Sequence, residues 1–161
     1  MSWVRCFVFV FAILLAPATL SAQEVDRILI DKSARTLALM SGGKTLKTYR
    51  SIKLGDAPRG HKQFEGDEKT PEGEYRIDGR NGGSRYHLSL RISYPNAADR
   101  EYARRAGRSP GGDIFIHGQP NGSALERLPF DWTDGCIALS NAEIEELWKQ
   151  VKVGTRVTIQ P

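Results

Sequence analysis

The sequence predicts a mainly β domain, a sandwich or open barrel of about seven strands with two short helices. Short segments that alternate apolar and polar residues recur along the chain, and 16 glycines and eight prolines supply turns between them. Helical periodicity occurs at only two places. A length of 161 residues fits one domain, and 40% hydrophobic with 26% charged residues is ordinary for a globular chain. Whole-chain disorder and a polytopic membrane protein are therefore excluded.

The first half of the domain contains most of the alternating segments. Strands are predicted at residues 25–31, 36–41, 44–52, 74–77 and 86–94. Gly42-Gly43 suits a two-residue hairpin turn between the second and third of them. The polar, Gly- and Pro-rich residues 55–72 predict a long surface loop, and residues 80–84 a shorter one.

The second half contains both helical patterns. Asn96 can cap a helix that runs to Ala106. An apolar strand at 114–116 follows it. Ser140 and Glu143 form a capping box for the second helix, which shows apolar residues at i, i+3, i+4 and i+7. The last strand is predicted at 155–159.

Residues 1–22 have the layout of a secretory signal peptide. Arg5 supplies the positive charge, residues 7–16 form an apolar run, and a small-residue cleavage site precedes Gln23. The run is short for a bilayer core of about 30 Å, so an uncleaved membrane anchor is the less favoured alternative. We therefore expect an exported protein with one domain over residues 23–161, and no integral membrane protein.

Charge and cysteine content limit the possible functions. The formal net charge of +4 is too small for the dense basic surface of a nucleic-acid-binding protein. Cleavage of the signal peptide would remove Cys6 and leave Cys136 as the only cysteine. Such a thiol in an oxidising compartment is a buried inert residue, an intermolecular disulfide partner or a catalytic nucleophile.

The neighbours of Cys136 favour catalysis without proving it. A cysteine nucleophile needs a base, and His117 lies at the end of the apolar strand where a rigid element would hold it. Gly135 permits the unusual backbone geometry that aims amide groups at an oxyanion. A structural histidine and a plain Asp-Gly turn beside a buried cysteine remain open on spacing alone.

The spacing of these residues resembles the signature of the L,D-transpeptidase catalytic domain family. In Ile116-His117-Gly118, the histidine is followed by fifteen residues, 118–132, and then by Thr133-Asp134-Gly135-Cys136. Residues 69–75, Lys-Thr-Pro-Glu-Gly-Glu-Tyr, are similar to the family's Thr-Pro-x-Gly-x-aromatic segment. The resemblance covers about residues 25–159 and implies the L,D-transpeptidase type of β-sandwich or open barrel.

Two positions depart from the common family pattern. Asp134 stands where many members carry histidine, and Ala138 stands where many carry arginine; this form resembles a branch of short Gram-negative members. The missing arginine leaves open how a substrate carboxylate is held. We expect the Asp134 carboxylate to point away from Cys136.

The resemblance implies a periplasmic enzyme that acts on peptidoglycan stem peptides through a cysteine acyl-enzyme, without metal or cofactor. Cys136 would be the nucleophile and His117 the general base and acid. Backbone N–H groups around Gly135 and Cys136, together with the Gly118 turn, would stabilise the oxyanion, and Thr133 would orient the loop by hydrogen bonding. Attack of an acceptor amine on the acyl-enzyme would give a cross-link or a protein attachment. Attack of water instead would make the protein an L,D-carboxypeptidase or amidase.

Other assignments carry less support. Tyr86 and His87 could border the cleft and touch substrate, although exposed polar residues are normal on such a strand. We expect His61 to be solvated, and likewise a basic helix face formed by Arg100, Arg104, Arg105 and Arg108. A non-catalytic wall-binding module remains an alternative. A papain-like protease is disfavoured because His117 precedes Cys136, and a zinc hydrolase because no ligand pair is present. No long apolar stripe is left over, so we expect a monomer.

Overall fold

A computed structural model describes residues 23–161, so the predicted signal peptide lies outside the described residues. The elements are β1 (Arg27–Asp31), β2 (Thr36–Ser41), β3 (Lys44–Arg50), β4 (Gly73–Ser84), β5 (His87–Ile92), α1 (Ala97–Arg105), β6 (Phe115–His117), β7 (Ile137–Ala138), α2 (Asn141–Gln150) and β8 (Arg156–Gln160). The prediction of a mainly β domain with two helices is confirmed. Within residues 23–161, neither helix has the length and apolar character needed to cross a membrane.

The strands form one sheet of eight in the order β3-β2-β1-β8-β4-β5-β6-β7. β1, β2 and β3 make an antiparallel meander, and β8 returns to lie parallel to β1. The first residues of β4 pair with β8, whereas its later residues pair with β5. β6 is antiparallel to β5, and the very short β7 is parallel to β6.

The chain just after β3 closes the sheet towards an open barrel. Lys53 N donates to Ala138 O at 2.9 Å, and Ala138 N donates to Lys53 O at 2.8 Å. Gly55 forms a further bridge with Thr133. A continuous apolar cluster fills the interior, including Ile28, Ile30, Leu37, Leu39, Leu90, Ile116, Ile137, Ile144, Leu147 and Val157. The closure brings the loop after β3 against the segment that carries Cys136.

The strands differ from the prediction in two places: β4 is longer, and β7 is an additional strand. Residues 80–84 belong to β4, where Arg80 and Asn81 pair with β5. This end of β4 is mostly exposed, so its residues are polar and do not show the alternation that predicts a strand. The guanidinium of Arg80 stacks on Trp148, 4.0 Å from the ring centroid. β7 has only two residues, which is too short for an alternating pattern.

Both predicted helix caps are present, and the first anchors the long loop. Asn96 and Asp99 form a capping box at α1, as Ser140 and Glu143 do at α2. His61 is not simply solvated: its Nε2 lies 3.0 Å from Asp99 Oδ1, and its Nδ1 accepts the Glu72 N–H at 2.9 Å. The loop at 55–72 is thereby tied to α1, close to the Thr-Pro segment.

Candidate active site

Cys136 and His117 lie on neighbouring strand ends. The parallel register pairs Ile116 with Ile137 and His117 with Ala138, so Cys136 stands level with Phe115. Ile116 and Ile137 are fully buried in the core. Because side chains alternate along a strand, His117 and Cys136 share the opposite face. Both line one cavity of about 620 Å³.

The sulfur of Cys136 is held by backbone groups rather than by a cation. Phe115 N donates to Sγ at 3.4 Å, and Sγ lies 3.6 Å from Asp113 O. Burial raises the pKa of the Cys136 thiol to about 11, the Phe115 N–H opposes this shift, and the charge of Asp134 adds to it. The exposed Asp134 therefore acts on the thiol. At neutral pH the resting residue is a thiol, not a thiolate.

His117 is buried, with 2% of its surface exposed, and its tautomer follows from its contact. Nδ1 lies 2.7 Å from Gly118 O. A carbonyl oxygen can only accept, so Nδ1 carries the hydrogen and Nε2 keeps a free lone pair. Burial lowers the pKa of His117 to about 4, although the bond to Gly118 opposes this. The imidazole is therefore neutral at pH 7 and can accept a proton at Nε2.

Two aromatic side chains fix the ring of His117. Tyr86 stacks on it with centroids 4.6 Å apart, and Trp132 meets it edge-on at 5.5 Å. Both line the cavity. Sequence reasoning missed Trp132, although its position directly before Thr133 was an available signal. Its Nε1 is buried and has no hydrogen-bond partner among residues 23–161.

The side chain of His87 is directed towards α2. Its backbone has a positive φ of 66°, and its Nε2 lies 2.7 Å from Glu145 Oε1 on α2. It is absent from the cavity lining, which includes its neighbour Tyr86. The left-handed backbone at this position turns the ring towards α2, a change that period-two alternation could not reveal.

A short hydrogen-bonded loop presents Cys136. Thr133 Oγ1 donates to Cys136 O at 2.7 Å and accepts the Gly135 N–H at 3.2 Å. Gly135 has φ +122°, and a Cβ there would lie 2.4 Å from Lys69 O. Only glycine fits this position, because other residues would meet both backbone strain and a clash with main chain.

The Thr-Pro segment, residues 69–75, packs against the loop that carries Cys136. Thr70 is fully buried, and its Oγ1 accepts the Gly55 N–H at 3.1 Å. Gly55 is itself bridged to Thr133. Lys32 Nζ donates to Thr70 O at 3.0 Å and forms an ion pair with Glu72 at 2.7 Å. The two segments recognised in the sequence are therefore in physical contact.

The backbone N–H groups are not equally available. Gly135 N donates to Thr133, and Gly118 N donates to Tyr86 O at 3.0 Å and Leu88 O at 3.3 Å. Cys136 N has no acceptor among the residues that the structure describes. Among the N–H groups expected to stabilise an oxyanion, those around Gly135 and Cys136 and in the Gly118 turn, Cys136 N is the one without an acceptor in residues 23–161.

Charges are unevenly distributed around the cavity. Asp113 and Asp134 line it on the side of the sulfur, while Arg85 lines it in the turn between β4 and β5. The adjoining Ser84 and Ser89 hydroxyls hydrogen-bond to each other at 2.6 Å. In residues 23–161 we find no group of three or more His, Cys, Asp and Glu side chains arranged to hold a metal.

This fold and this paired His and Cys arrangement define the class. Residues 25–159 match the family model YkuD, the L,D-transpeptidase catalytic domain. The chain belongs to that family, and the fold type expected from the resemblance is confirmed. An L,D-transpeptidase from Mycobacterium smegmatis, 16% identical with a TM-score of 0.55, covers 86% of this chain and shows the shared fold; the match takes in 59% of that protein.

Two bacterial proteins are more similar in sequence. YafK of Escherichia coli strain K12, whose L,D-transpeptidase name is provisional, is 33% identical over 141 residues, which is 83% of this chain and 50% of YafK. The helical cell shape determining protein Pgp2 of Campylobacter jejuni is 32% identical with a TM-score of 0.67, over 85% of this chain and 48% of Pgp2. The chain thus spans about half the length of these relatives.

Proposed function

We propose that this protein is a cysteine-dependent L,D-transpeptidase that acts on peptidoglycan stem peptides. The observation that carries the proposal is the shared cavity in which the Cys136 thiol and the fixed His117 tautomer, with Nε2 unprotonated, lie on one face of adjacent strands. Family membership supports the substrate class. The Pgp2 relative, a helical cell shape determining protein, supports a role in cell wall organisation.

In the first half-reaction, His117 Nε2 takes the thiol proton while Cys136 Sγ attacks the carbonyl carbon of the diamino acid at stem position three. The C–S bond forms and a tetrahedral oxyanion develops. The proton on His117 then passes to the amide nitrogen of the scissile bond, the C–N bond breaks, and D-Ala leaves. A thioester on Cys136 remains.

The developing oxyanion is stabilised by the Cys136 N–H, the donor left free beside the sulfur. Removing one such donor typically costs about 2.7–4 kcal/mol of transition-state stabilisation. Gly135 and Thr133 do not contact the oxyanion in this mechanism; their hydrogen bonds hold the loop that carries the Cys136 N–H. They are positioning residues.

In the second half-reaction an acceptor amine attacks the thioester. It loses a proton to His117, and the C–S bond breaks to regenerate the thiol. A stem-peptide amine yields a 3→3 cross-link, and a protein amine yields an attachment. Water in place of the amine gives carboxypeptidase or amidase activity. We further propose that residues 1–22 direct export to the periplasm, and that the domain works as a monomer.

Mass spectrometry of the intact protein after mixing with a tetrapeptide-bearing muropeptide tests the function. We expect an acyl adduct on Cys136 and release of D-Ala, with no adduct on Cys136→Ala and a far slower one on His117→Gln. Circular dichroism checks that both variants fold. The released muropeptides show whether an amine or water resolves the thioester. Turnover by Cys136→Ala would overturn the proposal, and binding without any adduct would favour a wall-binding module.

A further inference from the structure

Arg85 is a cation without a partner at the edge of the cavity. It lies in the turn between β4 and β5, is exposed, and lines the cavity together with Tyr86 and Ser84. Within residues 23–161 no carboxylate or carbonyl accepts a hydrogen bond from its guanidinium, whereas Arg35, Arg91, Arg104, Arg105 and Arg127 all form ion pairs. A solvated guanidinium beside a reactive cavity is available to an anionic ligand group.

The strand register places the turn that carries Arg85 beyond His117, at the end of the cavity away from the sulfur. Cys136 is level with Phe115, and His117 lies two residues further along β6 on the same face. β5 is antiparallel to β6 with Ser89 opposite His117, so the turn that carries Arg85 lies beyond His117, and Tyr86 in that turn stacks on the imidazole. The backbone positions of Cys136, His117 and Arg85 therefore follow one another in that order along the cavity.

The acidic residues occupy the opposite end. The backbone carbonyl of Asp113 contacts the sulfur at 3.6 Å, and Asp134 is two residues before Cys136. Both residues line the cavity. A substrate carboxylate placed at the sulfur end would be repelled by two negative charges, whereas at the other end it would meet Arg85. The cavity thus favours one direction for a peptide with a charged carboxyl terminus.

The proposed reaction places such a carboxylate beyond the imidazole. His117 must reach the nitrogen of the leaving residue to protonate it. In an α-amino acid the carboxylate carbon is only about 2.5 Å from that nitrogen, since two covalent bonds separate them. When the leaving residue is the last in the chain, its free carboxylate therefore falls next to His117, on the side away from the sulfur.

We propose that Arg85 forms the subsite for the free α-carboxylate of the leaving residue, so that the enzyme selects stem peptides that end one residue after the scissile bond. This inference rests on the proposed function of the same cavity. It also accounts for carboxylate recognition in a chain with Ala138 at the position where arginine was expected from the resemblance.

A comparison of two donors tests the subsite. The tetrapeptide stem with a free carboxylate is compared with the same peptide carrying a C-terminal carboxamide, and kcat/KM for acylation of Cys136 is measured. We expect the wild-type protein to prefer the free acid by about 10- to 100-fold, the range for a hydrogen bond to a charged group. Arg85→Gln should lose most of that preference by slowing only the free acid, and Arg85→Lys should keep part of it.

Arg50→Gln is the matched control, because Arg50 is exposed on β3 and lies outside the cavity lining. It should keep the wild-type preference. Calorimetry on Cys136→Ala gives a second measurement, of binding without turnover. The free acid should bind more tightly than the carboxamide to Cys136→Ala, and this difference should disappear in the double variant that also carries Arg85→Gln. An Arg85→Gln variant that keeps the preference, or slows both donors equally, overturns the subsite and leaves the proposed function standing. Absence of any acyl adduct on the wild-type protein removes both.

Discussion

The buried neutral imidazole of His117 should make the protein lose stability in mild acid. Burial lowers its pKa to about 4, from an ordinary value of 6.5. Because the folded-state pKa is lowered, the unfolded chain binds a proton more readily than the folded protein below pH 6.5. The contribution of His117 to stability is therefore complete above pH 6.5 and is lost as the pH falls from 6.5 through 4.

The magnitude follows from the two pKa values. One pKa unit corresponds to about 1.4 kcal/mol, and integration of the proton binding gives a loss of about 2 kcal/mol at pH 5 and about 3 kcal/mol at pH 4. Most carboxylates titrate below this window, so the loss between pH 6.5 and 4.5 belongs mainly to His117. For a domain whose stability is about 5–15 kcal/mol, this is a large fraction.

Urea unfolding at several pH values measures this loss. The free energy of unfolding of the wild-type protein should fall by about 2 kcal/mol between pH 7 and pH 5. His117→Gln should begin from a lower stability and show little further loss over this range. Arg50→Gln is the control, since Arg50 is exposed on β3 and lies outside the cavity lining, and it should follow the wild-type slope. Parallel curves for wild type and His117→Gln, or an imidazole that titrates near pH 6.5 by NMR, would refute the reasoning.

Two further predictions concern the loop and the thiol. Gly135→Ala should lower the free energy of unfolding by about 3 kcal/mol or more, because the new Cβ would lie 2.4 Å from Lys69 O and φ is +122°. Gly112→Ala is the control, because a Cβ at Gly112 meets open space, and it should change this free energy by less than about 1 kcal/mol. Urea unfolding measures both values. The rate of alkylation of Cys136 by iodoacetamide should rise about tenfold per pH unit from pH 7 to 10, since the pKa of the thiol is about 11. Asp134→Asn should raise this rate at pH 8, because the charge of Asp134 raises the pKa of the thiol. A rate that reaches its plateau near pH 7 would contradict the neutral thiol.

The sequence was sufficient for features that depend on local pattern. Alternation located most strands, and the cap at Asn96 and the capping box at Ser140 located both helices. It did not reveal features that depend on contacts between distant segments. The polar end of β4 is a strand because β5 pairs with it, and His87 turns to α2 through a left-handed backbone.

The candidate site shows the same division. The spacing shared with the family identified His117 and Cys136 as candidate site residues, and the structure places both in one cavity. The hydrogen bonds that engage the Gly118 and Gly135 N–H groups involve the local geometry of each turn, which residue types alone do not specify. The positions of Trp132 and Arg85 at the cavity likewise depend on how two loops meet.

A neutral thiol and a neutral imidazole are compatible with the proposed chemistry. Transfer of the proton from a group with a pKa of about 11 to one with a pKa of about 4 costs about 10 kcal/mol if the resulting charges do not interact. Opposite unit charges attract each other by about 4 kcal/mol when they are about 4 Å apart at an effective dielectric constant of 20, so an ion pair formed at that separation would return that amount. The remaining cost of about 6 kcal/mol fits within the barrier of about 16 kcal/mol for a turnover of ten per second. The ion pair therefore need not exist before substrate binds, and proton transfer coupled to attack on the carbonyl is sufficient.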